Sequence, residues 1–113
     1  MASDQEFVDF VVDQFDEALN VTSKKMFGEY GLFSGGKMFA LICDNRLFFK
    51  PTDGVRAHIG APVEAPPYPG AKNCFVIEDR LEDGPWLSDA ARIGVRELPE
   101  PKKRKPKKRD PGG

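Results

Sequence analysis

Four short segments, Lys24–Phe27, Tyr30–Phe33, Lys37–Cys43 and Arg46–Lys50, follow one another with only Gly28-Glu29, Ser34-Gly35-Gly36 and Asp44-Asn45 between them. Aromatic and aliphatic runs joined by two or three turn-forming residues predict an antiparallel meander. Lys37–Cys43 is apolar on both faces, which places it as a central strand. The fourth segment ends at Pro51, which cannot donate to a sheet ladder.

Helical periodicity flanks this meander. Phe7, Val8, Val11, Val12, Phe15, Ala18 and Leu19 form one stripe, with Asp9, Asp13, Gln14 and Glu17 mostly opposite as a solvated face. The spacing predicts a helix from Asp4 to Leu19, capped by Ser3 or Asp4 and stopped at Asn20. Thr52–Ile59 reads as a short helix capped by Thr52 or Asp53 and ended by Gly60. Residues 61–70 hold four prolines and read as a loop, either a site or a connector. Asn73–Glu78 reads as a further strand. Leu87, Ala90, Ala91, Gly94, Val95 and Leu98 mark a last helix from Trp86 to Leu98, ended by Pro99.

One domain and one modest core suit a chain of 113 residues with 40% apolar content and nine Phe. The longest apolar run, Met38–Cys43, is far short of a membrane span, so no membrane association is expected. Met1–Glu6 is acidic and no apolar stretch follows a basic start, so the chain reads as lacking a signal peptide. The expected compartment is cytoplasmic, with Cys43 and Cys74 reduced. Both cysteines sit in apolar strands and read as buried, inert thiols. Two Cys and one His complete no zinc pattern, and no metal or cofactor is expected. His58 reads as a surface or capping residue and Trp86 as packing at a helix start.

One motif invites an enzymatic reading. Gly31-Leu32-Phe33-Ser34-Gly35-Gly36-Lys37-Met38 nearly spells a phosphate-binding loop, but Met38 replaces the Ser or Thr that binds magnesium. Such a loop must also open a helix, and Lys37 opens a strand. The residues read instead as a hairpin turn at Ser34-Gly35-Gly36. No Ser/His/Asp or Cys/His arrangement stands elsewhere, and no enzyme activity is expected.

The run Met26-Phe27-Gly28-Glu29-Tyr30-Gly31-Leu32-Phe33, continued by Gly36–Ile42 and Asp44–Lys50, resembles the N-terminal domain of the TfoX/Sxy family. That family is named for bacterial regulators of natural competence for DNA uptake. A weaker likeness extends over roughly residues 5–98. The resemblance implies an α+β fold: a two-layer α/β sandwich with an antiparallel sheet of about five strands and helices on one face. It also implies a regulatory or binding role, exerted through a protein partner, with transcription as the expected setting. Full-length regulators of the family carry a second, helical domain, which this chain is expected to lack, and the resemblance supplies no catalytic residues. Within the block, Gly28 and Gly31 are expected to bracket a tight reversal, with Glu29 and Tyr30 between them as exposed candidates for partner binding. An exposed sheet edge is a candidate homodimer contact.

Charge divides the chain into a domain, 1–98, and a tail, 99–113. The domain holds ten Lys/Arg against sixteen acids, a net of −6; the tail holds seven against two, a net of +5. Lys102, Lys103, Arg104, Lys105, Lys107, Lys108 and Arg109 form a polycation interrupted only by Pro106. With no large apolar residue the tail is expected to be disordered. It is a candidate nucleic-acid-binding segment, attracted to phosphates through counterion release and, without aromatics, indifferent to sequence. The alternatives are a solubilising tail or one that folds back on the acidic domain.

Overall fold

Gly35 and Gly36 adopt φ of 60° and 82°, and Asp44 and Asn45 adopt 53° and 57°. Two successive residues in the left-handed region make the hairpin turn whose twist matches the flanking strands. The near phosphate loop is therefore a turn, as its sequence context predicts. The computed structural model describes residues 4–26 and 29–99. Its strands are β1 (Thr22–Met26), β2 (Glu29–Ser34), β3 (Lys37–Cys43), β4 (Arg46–Phe49), β5 (Val63–Ala65) and β6 (Cys74–Ile77), and its helices are α1 (Gln5–Asp13), α2 (Asp53–Ile59) and α3 (Gly84–Glu97). All strand pairs are antiparallel, in the order β1-β2-β3-β4-β6-β5.

The sheet has six strands where the sequence suggests five. The additional one, β5, lies in the proline-rich segment that reads as a loop. Pro62 and Pro66 flank it, and it pairs with β6 alone at the edge of the sheet. Proline is tolerated at such an edge, and so masks a strand that pairs on one side only.

A register shift sets the two faces of the sheet. Leu32 pairs with Ala40, but Phe33 pairs with Met38, so Phe39 is an extra residue on β3. The bulge turns Phe39 to the same side as Ala40 and Ile42. There its ring meets Phe15 edge-on at 5.4 Å and Phe49 at 5.7 Å. Val8, Val11, Leu32, Leu47, Val55, Phe75, Leu87, Ala90 and Ala91 complete this core, which joins all three helices to one face. Cys43, Phe48, Cys74 and Val76 form a smaller cluster on the other face.

The first helix ends earlier than the periodicity suggests. Asp16 starts a separate turn of 3-10 helix, Glu17–Leu19, by accepting the Ala18 N–H on its side chain at 3.0 Å. Its own N–H donates to the buried Ser88 Oγ at 2.8 Å rather than into α1. Asn20 stops the turn in the left-handed conformation. As expected, Thr52 caps α2, accepting the Val55 N–H at 3.2 Å, and Gly60 ends it with φ 96°. Asp83 caps α3 by accepting the Trp86 N–H at 3.2 Å.

Two helical glycines differ in what surrounds them. A Cβ on Gly54 would lie 2.5 Å from Ile93 Cγ2 and against the Glu97 carboxylate. That carboxylate accepts the Gly54 N–H at 2.8 Å, a bond that holds Glu97 below its ordinary pKa. A Cβ on Gly94 meets only Val55 Cγ2, at 3.5 Å, and Phe39 Cβ, at 3.9 Å. Gly94→Ala is therefore expected to stabilise the fold by about 0.5–1 kcal/mol, the helix-propensity difference. Gly54→Ala is expected to destabilise it by about 1–3 kcal/mol through overpacking. Urea denaturation of the two variants checks both signs.

Candidate binding groove on the open face of the sheet

With the helices on one face, the other face is left to smaller coverings. Alternation along the paired strands puts Lys24 and Met26 of β1, Glu29, Gly31 and Phe33 of β2, and Met38, Leu41 and Cys43 of β3 on this open side. A groove of about 480 Å³ lies here, lined by Met26, Glu29, Tyr30, Gly31, Met38, Leu41, Cys43 and Tyr68. That volume falls within the usual range of ligand pockets, and most of its lining is apolar.

Gly31 forms the floor. A Cβ at this position would lie 2.6 Å from Met38 Sδ and 3.1 Å from both Met26 Sδ and a ring carbon of Phe33. The missing side chain lets two thioethers converge from neighbouring strands over one residue. This corrects the expectation that Gly31 ends a tight reversal: it lies inside β2, and close approach of neighbouring side chains is what requires glycine. Gly28, the other glycine of that expected reversal, lies outside the described residues, as does Phe27.

Glu29 and Tyr30 separate. Glu29 is half-buried at the groove rim, where its carboxylate accepts the Asp44 N–H at 3.1 Å. Tyr30 is 8% exposed, against the expectation of an exposed residue. Its position in β2 turns the ring to the helical core, and its hydroxyl donates to Gln5 Oε1 at 3.0 Å. Strand alternation turns the two side chains to opposite faces, although both residues contribute to the lining of the groove.

Sequence reading missed Met26, Met38, Leu41 and Tyr68 as a group. Tyr68 comes from the proline-rich segment and is 54% exposed over the groove. Pro67 and Lys72, with Lys50 from the end of β4, border an adjoining hollow that shares Met38, Leu41 and Tyr68 with the groove. A third hollow shares Met38 and Lys50 and reaches Leu98 and Pro99. The last described residue, Pro99, thus borders this surface. The seven tail cations, Lys102 to Arg109, lie outside the described residues.

The other residues singled out in the sequence have structural duties. Lys37 donates from Nζ to the Val95 and Leu98 carbonyls, at 2.8 and 2.9 Å, closing the C-terminal end of α3. His58 stacks on Trp86 at 4.9 Å, and the Arg80 guanidinium lies over the same indole at 4.8 Å. Among the described residues, no group of three or more His, Cys, Asp or Glu could hold a metal ion. Nor is any helix there long and apolar enough to cross a membrane.

Cys43 and Cys74 are buried, as expected from their strands. Burial pushes the Cys43 thiol up to about 11, with the nearby Glu29 charge adding to the effect. Burial also raises Cys74, against a smaller opposing pull from Lys50. A raised thiol pKa means that the folded chain holds its proton where the unfolded chain loses it. The contribution to stability is full below the unfolded thiol value, and is lost as pH rises toward 11. Stability is therefore expected to fall between pH 9 and 11, and less steeply in Cys43→Ala. Iodoacetamide is expected to label the native thiols slowly at pH 8 and rapidly in urea.

A family model, the TfoX N-terminal domain, matches residues 13–98. An uncharacterized 12.7 kDa protein in the trpE 5′ region of Spirochaeta aurantia is 43% identical over 112 residues, covering 99% of this chain and 97% of the relative. The match spans every strand, α2, α3 and the groove, and the chain belongs to the TfoX N-terminal domain family.

Proposed function

We propose that this chain is a non-enzymatic regulatory module, similar to the N-terminal domain of competence regulators, that acts in transcription by holding a protein partner. The basic tail adds nonspecific affinity for nucleic acid. One observation carries the reading: the face of the sheet away from the described helices keeps an apolar groove floored by Gly31 and walled by Met26, Met38 and Leu41. Methionine side chains adapt to varied apolar surfaces, which suits a protein ligand better than a reaction requiring fixed geometry. A partner seated here would also lie near Leu98 and Pro99, where the described residues end.

In a second reading nucleic acid is the main target, the tail the instrument and the folded domain a scaffold or dimerisation unit. The charge division of the chain favours it: a net of +5 in 99–113 against −6 in the remainder.

The two separate in the intact chain when the seven tail cations are replaced by Gln. DNA duplex and RNA binding is measured across a salt series, alongside co-purification of partners from the native host. The first reading expects the substituted chain to lose nucleic acid and keep its partner, and Leu41→Asp to lose the partner and keep nucleic acid. With about five phosphates neutralised, the log-log salt slope of the unmodified chain is expected near −4. Loss of all binding on tail substitution supports the second reading. A chain that retains no partner and binds no nucleic acid at low salt contradicts both.

A further inference from the structure

We infer that the partner of the open face is an extended acidic peptide segment that adds to the free edge of β1 and places an apolar side chain over Gly31. This rests on the partner-binding reading above and names the chemistry of the partner.

Three observations converge. First, β1 ends the sheet: β2 pairs with it on one side, and no further strand lies beyond it among the described residues. A strand edge carries main-chain donors and acceptors that an extended peptide can complete, while alternate side chains of that peptide reach pockets on the sheet face. Second, the edge is basic. Thr22–Lys25 is exposed, with Lys24 on the open face and Lys25 on the helical side. A peptide strand laid here meets a cation on each of its two faces. Lys50 and Lys72 border the neighbouring hollow. Among the described residues, the single charged side chain lining the groove itself is Glu29, at the rim and bonded to the Asp44 N–H. Third, an apolar receptacle lies one strand in from that edge. Met26 is the last described residue of β1, and its sulfur folds back over Gly31 toward that of Met38. An apolar residue opposite Met26 would pack on these thioethers, within the groove that Leu41 and Tyr68 also line.

Lysines on an edge strand also discourage pairing between copies of one chain. Pairing β1 with β1 of a second copy would bring Lys24 and Lys25 of both copies together, whereas an acidic strand turns the same charges into attraction. This disfavours the homodimer through β1 and selects the acidic segment. Single-stranded nucleic acid shares the negative charge, but it has no backbone complementary to a strand edge.

The test uses the full chain and synthetic peptides of about ten residues alternating Leu or Val with Asp or Glu, read by fluorescence anisotropy. Controls replace the acids with Lys, or place Pro at the centre to block strand pairing. The acidic peptide is expected to bind, more weakly as salt rises, and both controls to lose on the order of tenfold or more in affinity. Lys24→Glu with Lys25→Glu, two exposed substitutions, is expected to weaken it similarly with the melting temperature little changed. Amide hydrogen exchange across Thr22–Met26 is expected to slow on binding. Equal binding of acidic and basic peptides, or no slowing at β1, overturns the proposal. So does a competition in which oligo(dT) occupies the face and Leu41→Gln abolishes it. If Leu41→Gln and Tyr68→Ser release the cellular partner while the acidic peptide never binds, the partner reading stands and the acidic strand is wrong. If neither variant releases the partner, both are wrong.

Discussion

The extra residue at Phe39 is the constraint on which the two faces of this protein depend. A strand without it would send Phe39 and Ala40 to opposite sides. The bulge lets both face the helices, so Phe39 joins Phe15 and Phe49 at the centre of the core. The same step decides what remains outside. Lys37 stays on the helical side and reaches the last carbonyls of α3, while Met38 and Leu41 fall on the open face. Core, helix termination and groove follow from one local irregularity.

Packing on the helical side explains why the open side is available. α3 buries small residues, Ala90, Ala91 and Gly94, and so lies close to the sheet. Gly54 lets α2 approach α3 in turn. The three described helices are thereby accommodated on one face, and none of them lies on the other. That face is covered only in part, by β5's neighbours in the proline-rich segment and by the small cluster around Phe48. An apolar surface left in this condition is a site or a liability. The flanking lysines and the partial cover of Tyr68 reduce the liability without closing the groove.

Much of the fold was legible because it is local. Two-residue turns, Thr52 and Gly60 at the ends of α2, and the apolar stripe of α3 each state their structure within a few residues. The strand β5 was not legible, since its prolines signal a loop and only pairing with β6 makes Val63–Ala65 a strand. The break after Asp13 depends on Ser88, distant in sequence, accepting the Asp16 N–H. The groove was least legible of all. Tyr30, Leu32 and Ser34 alternate with Gly31 and Phe33, and both sets contain apolar residues. Which set faces the helices is settled by tertiary packing, so Tyr30 looked exposed from the sequence and is core.

The glycines and methionines of the family-like block show how one sequence signal can carry several demands. Gly35 and Gly36 answer to backbone torsion, whereas Gly31 answers to space. A substitution at Gly31 would have to displace the Met38 sulfur, the far end of a flexible side chain, so the fold could yield where the groove could not keep its shape. A floor that is dispensable for folding yet specific for shape is the pattern expected of a recognition surface. Under the proposed reading, its basic border at β1 would favour acidic extended segments.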